Sequence, residues 1–173
     1  MYGSQFITTS QKMLKAASIL SIPVFVTTQN AARLGPTCNE LTPLLEKSVE
    51  HVDKKAFSMW VPSISRHFSS ETPSEVVIVG IESHICVTQT AIDLIKAGHK
   101  VYVLRDGVGS CNKEEVPIAM DRLRALGVTV TSSESWIFEC MGDAGIGEFK
   151  EMSALIKEFS GKTKEVMGTL CKI

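Results

Sequence analysis

The segment Val76-Val77-Ile78-Val79-Gly80-Ile81 is an uninterrupted apolar run, and residues 84–97 then carry helical periodicity that stops at Gly98. A strand apolar on both sides has to be covered on both faces, and a parallel sheet under two layers of helix is the arrangement that does so. The rest of the chain repeats the alternation. A helix is predicted over 5–21, a short β-rich run over 23–28, and a loop through Gly35-Pro36. A short helix around 41–45, a brief strand over 49–52 and a helix over about 58–67 precede the central unit. After it come a strand over 100–104, a helix over 114–126 ended by Gly127, and a strand over 128–131. A short helix over 135–141 follows, then one in which Phe149, Met152, Ile156 and Phe159 fall at helical spacing, a stripe that reads as core or subunit interface. The last dozen residues, from about 160 to 173, read as a poorly ordered tail. The pattern predicts an α/β domain with a mostly parallel sheet flanked by helices, and function in the loops after the strands.

With 173 residues and 44% hydrophobic content, the chain is the right size for a single domain over 1–173. A net charge of -1 with dispersed Lys and Arg offers no stripe for phosphates, so nucleic acid is not an expected partner. No apolar run approaches the roughly 20 residues of a membrane span, and there is no basic-then-apolar leader, so the chain reads as soluble and cytoplasmic. No GxGxxG or GxxxxGK[ST] pattern follows a strand, and no cofactor is expected.

Five cysteines, Cys38, Cys86, Cys111, Cys140 and Cys171, are widely spaced without a CxxC pair, and the four histidines never cluster. Neither a disulfide framework nor a metal site is indicated. Free cysteine usually packs as a small hydrophobe. Cys86 differs in position, five residues beyond Ile81 at the first turn of the next helix. Unpaired N–H groups and the positive dipole end there favour a thiolate and can hold an oxyanion, with the backbone of Ile85 and Cys86 as donors.

Gly80-Ile81-Glu82-Ser83-His84-Ile85-Cys86-Val87, with Gln89-Thr90-Ala91, resembles the nucleophile segment of isochorismatase-like cysteine hydrolases. Thr28-Gln29, Leu34-Gly35-Pro36-Thr37, Lys54-Lys55-Ala56-Phe57-Ser58-Met59, Thr131-Ser132-Ser133-Glu134-Ser135 and Phe149-Lys150-Glu151 resemble the branch called isochorismatase domain-containing proteins. Together they cover roughly residues 5–160. The resemblance implies a Rossmann-like three-layer fold and a catalytic Asp, Lys and Cys, with Lys54 and Cys86 matching the last two by position. A slip of one residue would move the lysine to Lys55, and a lysine in so polar a segment is by itself an ordinary surface charge. Gln29, Trp60, Glu82 and His84 become substrate-binding candidates, each with an equally available structural role; His84 as a metal ligand lacks partners. A cis peptide joining Ile81 to Glu82 is also implied, as is a homo-oligomer.

Family members begin with an apolar strand ending in the Asp. Residues 1–5 leave no room for it, so the expectation is a domain without its first family strand and without that acid. Asp53 and Asp106 follow predicted strands but occupy no matching position. Implied for function is hydrolysis of a small-molecule substrate, an amide, imide or related compound, through Cys86 with help from Lys54. A catalytically impaired member acting as an interaction or regulatory subunit is the alternative. Isochorismate cleavage, a vinyl-ether hydrolysis needing no cysteine nucleophile, is a weaker third.

Overall fold

The computed structural model describes residues 3–69 and 71–171. Helix α1 (Gly3–Ile19) leads into strand β1 (Phe25–Gln29), and one turn of helix, α2 (Ala31–Leu34), follows. Strand β2 (Glu50–Lys54) is followed by another single turn, α3 (Pro62–Ser65). Then come β3 (Glu75–Ile81), a π-type turn over Ser83–Val87 that runs directly into α4 (Thr88–Lys96), and β4 (Lys100–Gly109). Helix α5 (Glu115–Ala125), strand β5 (Thr129–Thr131), α6 (Ser133–Met141) and α7 (Phe149–Leu170) complete the order. All ladders are parallel, β1 with β2 and β3 with β4 with β5, as the sequence pattern requires.

Alternation along the strands sorts the core into two layers. Val76 and Ile78 of β3 and Val101 and Val103 of β4 pack with Val87, Ala91, Leu94, Val116 and Leu123 beneath α4 and α5. Their neighbours Val77, Val79, Tyr102 and Leu104 turn the other way, against Met13, Trp136, Ile137, Met152 and Phe159 of α1, α6 and α7. Side chains in a strand point to opposite faces in turn, so a run apolar at every position fills both layers. The helices before Gly98 and Gly127 end as read from the sequence, and both glycines have φ of +88°.

The parallel sheet is divided. Strands β1 and β2 form one ladder and β3, β4 and β5 another, and among the described residues no ladder joins β1 to β3.

Two elements differ from the sequence reading. The helix expected over 58–67 is only the turn Pro62–Ser65. Residues 58–61 do not wind: the Met59 carbonyl is taken by the N–H of Val61 only two residues on, at 2.7 Å, Val61 is extended, and the turn begins at Pro62, which has no N–H to give to a preceding carbonyl. The tail expected from residue 160 is instead helical to Leu170, with residues 172 and 173 outside the description. The apolar stripe continues past Phe159 to buried Val166, and Thr163 between them accepts a bond from Lys12 Nζ at 3.0 Å.

Candidate active site

The two catalytic candidates, Lys54 and Cys86, stand at or just beyond the carboxyl ends of β2 and β3. Lys54 is the last residue of β2, paired in register with Gln29, the last of β1. Its side chain is 6% exposed, and Nζ donates to Gln29 Oε1 at 2.6 Å and to the carbonyls of Ala56 and Phe57 at 3.0 and 2.9 Å. Three neutral acceptors therefore hold a buried ammonium, and no carboxylate forms an ion pair with it among the described residues. Burial pushes the Lys54 pKa below its usual value, while the charge of Cys86 and then that of Asp53 pull it back up. Lys54 is thus buried and within electrostatic reach of Cys86, whereas its neighbour Lys55 is exposed.

Cys86 lies in the π-type turn Ser83–Val87 and is partly buried. Its carbonyl accepts from Thr90 Oγ1 at 2.6 Å, and the same hydroxyl accepts from the N–H of Met59 at 2.9 Å. One hydroxyl therefore ties the loop after Lys54 to the turn that carries Cys86. The N–H of Ile85 already donates to the carbonyl of Glu82 at 3.2 Å, so an oxyanion would have to compete for it.

The peptide joining Ile81 and Glu82 is cis, at the position the resemblance implied. Beyond it, Ser83 is fully buried: its N–H donates to Ser110 Oγ at 3.1 Å and its hydroxyl to the carbonyl of Gly109 at 2.9 Å. His84 Nδ1 is 2.9 Å from the same Ser110 Oγ and 3.9 Å from Glu82 Oε2, which in turn accepts from the N–H of Cys111 at 2.7 Å. Glu82 and His84 are thereby brought together with the loop after β4, and Gln29 joins Lys54. Trp60 goes elsewhere, into an aromatic cluster with Phe68 and His99 at ring separations of 5.1 and 5.2 Å.

Neither alternative acid serves as a base here. Asp53 Oδ1 accepts from Thr28 Oγ1 and from the N–H of Ala31, both at 2.9 Å, and these bonds hold its pKa below the usual range. Asp106 is 1% exposed, its two carboxylate oxygens taken by the N–H and hydroxyl of Ser133 at the start of α6. Both fix loops to helix beginnings. Among the described residues no group of three His, Cys, Asp or Glu side chains is placed to hold a metal ion. No helix among them is long and apolar enough to cross a membrane.

Sequence reasoning missed Thr90 and Ser110. Thr90 stands within the recognised nucleophile segment, but its second partner, Met59, is 31 positions away. Ser110 follows β4 directly, so the rule that function gathers in post-strand loops could have found it.

Residues 2–135 match the family model of the isochorismatase domain. The secreted isochorismatase effector Isc1 of Phytophthora sojae is 44% identical over 150 residues, 84% of this chain and 71% of that protein. Isochorismatase domain-containing protein 2 of Bos taurus is 35% identical over 159 residues, 91% of this chain and 76% of that one. Among solved structures, that of MAR1 ribonuclease from Caenorhabditis elegans superposes with a TM-score of 0.83 at 36% identity, over 88% of this chain and 78% of that one. The α/β architecture and these similarities converge, and the chain belongs to the isochorismatase family of hydrolases.

Proposed function

We propose that this single isochorismatase-like domain hydrolyses a small amide, imide or related compound through the Cys86 thiolate, with Lys54 as the cationic group beside it. The observation that carries the reading is the buried Lys54 ammonium, fixed by Gln29 and two carbonyls and interacting electrostatically with Cys86. Sulfur would attack the carbonyl carbon, the oxyanion would be stabilised by backbone N–H groups of the Ile85–Cys86 turn, and collapse would break the C–N bond, the nitrogen taking up the proton released when the thiol ionised and leaving as the neutral amine. Water would then cleave the thioester, releasing the acid and restoring the thiol. A carboxylate has to take the thiol proton in the mechanism the resemblance implies, and none among the described residues bonds to Lys54 or Cys86. Gln29, Glu82 and His84 face the substrate in this reading, and Trp60 contributes through the aromatic cluster behind it. Exposed Phe57, Ile81 and Ile118, at 51, 52 and 65%, support a homo-oligomer.

A second reading, hydrolysis of an enol ether such as isochorismate, is favoured by the name of the 44% identical Phytophthora sojae relative. Assays of ammonia release from primary amides and cyclic imides, with isochorismate and RNA as parallel substrates, separate the two. Amide turnover abolished by Cys86→Ala and reduced about 10² to 10³-fold by Lys54→Met is expected. Isochorismate turnover that survives Cys86→Ala, with no amide turnover, replaces this reading by the second.

A further inference from the structure

Three polar side chains beside Cys86 are joined in a way that hydrolysis by a thiolate does not by itself require. Ser110 directly follows β4 and is 8% exposed, and its Oγ accepts from the N–H of Ser83 at 3.1 Å. The same Oγ is 2.9 Å from His84 Nδ1. His84 stands two residues before Cys86 in the turn Ser83–Val87, and Glu82 immediately precedes that turn. Glu82 Oε2 accepts from the N–H of Cys111 at 2.7 Å and is 3.9 Å from His84 Nδ1, beyond hydrogen-bond range.

Donor counting sets the direction of the Ser110–His84 bond. A hydroxyl has one proton to give, and burying it without an acceptor is costly. Ser83 offers Ser110 an N–H, and its own hydroxyl goes to the carbonyl of Gly109 at 2.9 Å, so among the described residues His84 Nδ1 is the acceptor that remains. Nδ1 is therefore bare, and a neutral imidazole then carries its hydrogen on Nε2. Among the described residues neither His84 Nε2 nor Glu82 Oε1 has a hydrogen-bond partner, and neither atom is sealed from solvent. A donor and an acceptor thus stand free side by side, next to the candidate nucleophile. A simple amide has one carbonyl, which attack by Cys86 commits to the backbone N–H groups of the turn. An imide has a second carbonyl for the Nε2–H and, between the two, an N–H for the carboxylate.

We propose that His84 and Glu82 form a specificity edge that selects imides over simple amides, with Ser110 as the positioning residue that fixes the His84 tautomer. His84 Nε2–H donates to the second carbonyl of the substrate, and Glu82 Oε1 accepts from the N–H between the carbonyls. The inference rests on the hydrolase reading for its link to turnover and deepens it by naming the substrate class, but recognition itself needs no hydrolysis.

The tautomer is read at pH 8 from the imidazole 15N shifts of 15N-histidine-labelled protein, with His84→Gln identifying the His84 signals among those of the four histidines. The Nε2–H form is expected in the parent, and Ser110→Ala should mix in the other tautomer. An Nδ1–H or imidazolium pattern in the parent overturns the proposal, as does an unchanged pattern in Ser110→Ala; should that variant not fold, the parent pattern decides alone. Selectivity is read in Cys86→Ala by ligand-detected NMR, as dissociation constants for three compounds. These are succinimide, γ-butyrolactam, which lacks the second carbonyl, and N-methylsuccinimide, which lacks the N–H. Succinimide should bind about three- to tenfold more tightly than either, the worth of one hydrogen bond. Adding His84→Leu should remove its advantage over γ-butyrolactam, and His84→Gln, whose amide keeps a donor near the Nε2 position, should retain it. Equal binding of the three compounds, or an advantage that survives His84→Leu, overturns the proposal. Selective binding without turnover by the parent sinks the hydrolase reading and keeps the edge, whereas amide turnover with indifferent binding does the reverse.

Discussion

At the scale of single residues, the proposed chemistry requires one of the five cysteines to react ahead of the others. Burial first, then Glu139 and Glu75, pushes the Cys140 thiol up to about 11, and burial is also the main cause raising Cys38 and Cys171. All three are therefore harder to ionise than an ordinary thiol. In a Cys111→Ser background, iodoacetamide at pH 8 should therefore label Cys86 ahead of the other three, and Lys54→Met should slow that labelling, followed by peptide mass spectrometry. Uniform labelling of all four would mean the site is not assembled. Thr90 supplies a sharper test of geometry, because its hydroxyl serves the Cys86 carbonyl and the Met59 N–H at once. Thr90→Val keeps the shape and removes both bonds, at a cost of about 1 to 3 kcal/mol for the unpaired groups. It should lower stability in urea and slow Cys86 labelling together; loss of stability with labelling unchanged would show that the tie does not position Cys86. Cys86 and Lys54 stand as candidates from the sequence because a post-strand cysteine and the segment Lys54-Lys55-Ala56-Phe57-Ser58 match a family pattern, and the structure leaves Lys54 buried. Thr90 is not among them, since a threonine in a helix gives no local sign of a partner 31 positions away.

Among the elements, the strand-to-turn junction that presents Cys86 has the strictest backbone requirement. Gly80 has φ of +125°, a conformation that side chains with Cβ rarely adopt, and it sits where the β3–β4 register shifts from Ile78 opposite Val103 to Gly80 opposite Val108. A Cβ at Gly80 would meet no atom within 4 Å, so the penalty for Gly80→Ala is one of backbone conformation and not of space. The substitution should cost about 1 to 3 kcal/mol, read as a lower urea midpoint at unchanged slope. A neutral result would mean that the junction relaxes to another conformation. The strand itself was legible, because six apolar residues in a row have few alternatives. The register shift was not, since it depends on how β4 accommodates Asp106 and Gly107, where a Cβ at Gly107 would lie 2.9 Å from Val79. The helix misread over 58–67 is a local matter: its periodicity was present, but the Met59 carbonyl closes a tight turn onto Val61 and Pro62 has no N–H to extend a helix backwards. The final helix erred in the opposite sense, because a polar stretch of sequence conceals Val166 and Thr163 on a buried line.

Across the whole molecule, the layers are tied together on the side away from Cys86 by a buried charge that gives stability a pH dependence of definite sign. Lys12 on α1 is 1% exposed, and its Nζ donates to Thr163 Oγ1 of α7 at 3.0 Å. Burial lowers its pKa from 10.5, and the charges of Asp106 and Glu134 partly restore it. Below the folded pKa both the folded and unfolded chains bind the proton, and the cost of burying the ammonium is fully present. As pH rises from that value to 10.5 the folded chain releases its proton while the unfolded chain still holds it, so stability increases; above 10.5 the contribution is constant. The thiols of Cys38, Cys140 and Cys171, whose pKa values are raised, act in the opposite direction above pH 9, which masks the effect in the parent protein alone. They cancel in the difference between the parent and Lys12→Met. Urea unfolding of both at pH 7, 9 and 10.5 should therefore show the parent gaining on the variant toward alkaline pH. Parallel stability curves would mean that Asp106 and Glu134 offset the burial completely, leaving α1 and α7 joined by an ordinary ion-dipole contact.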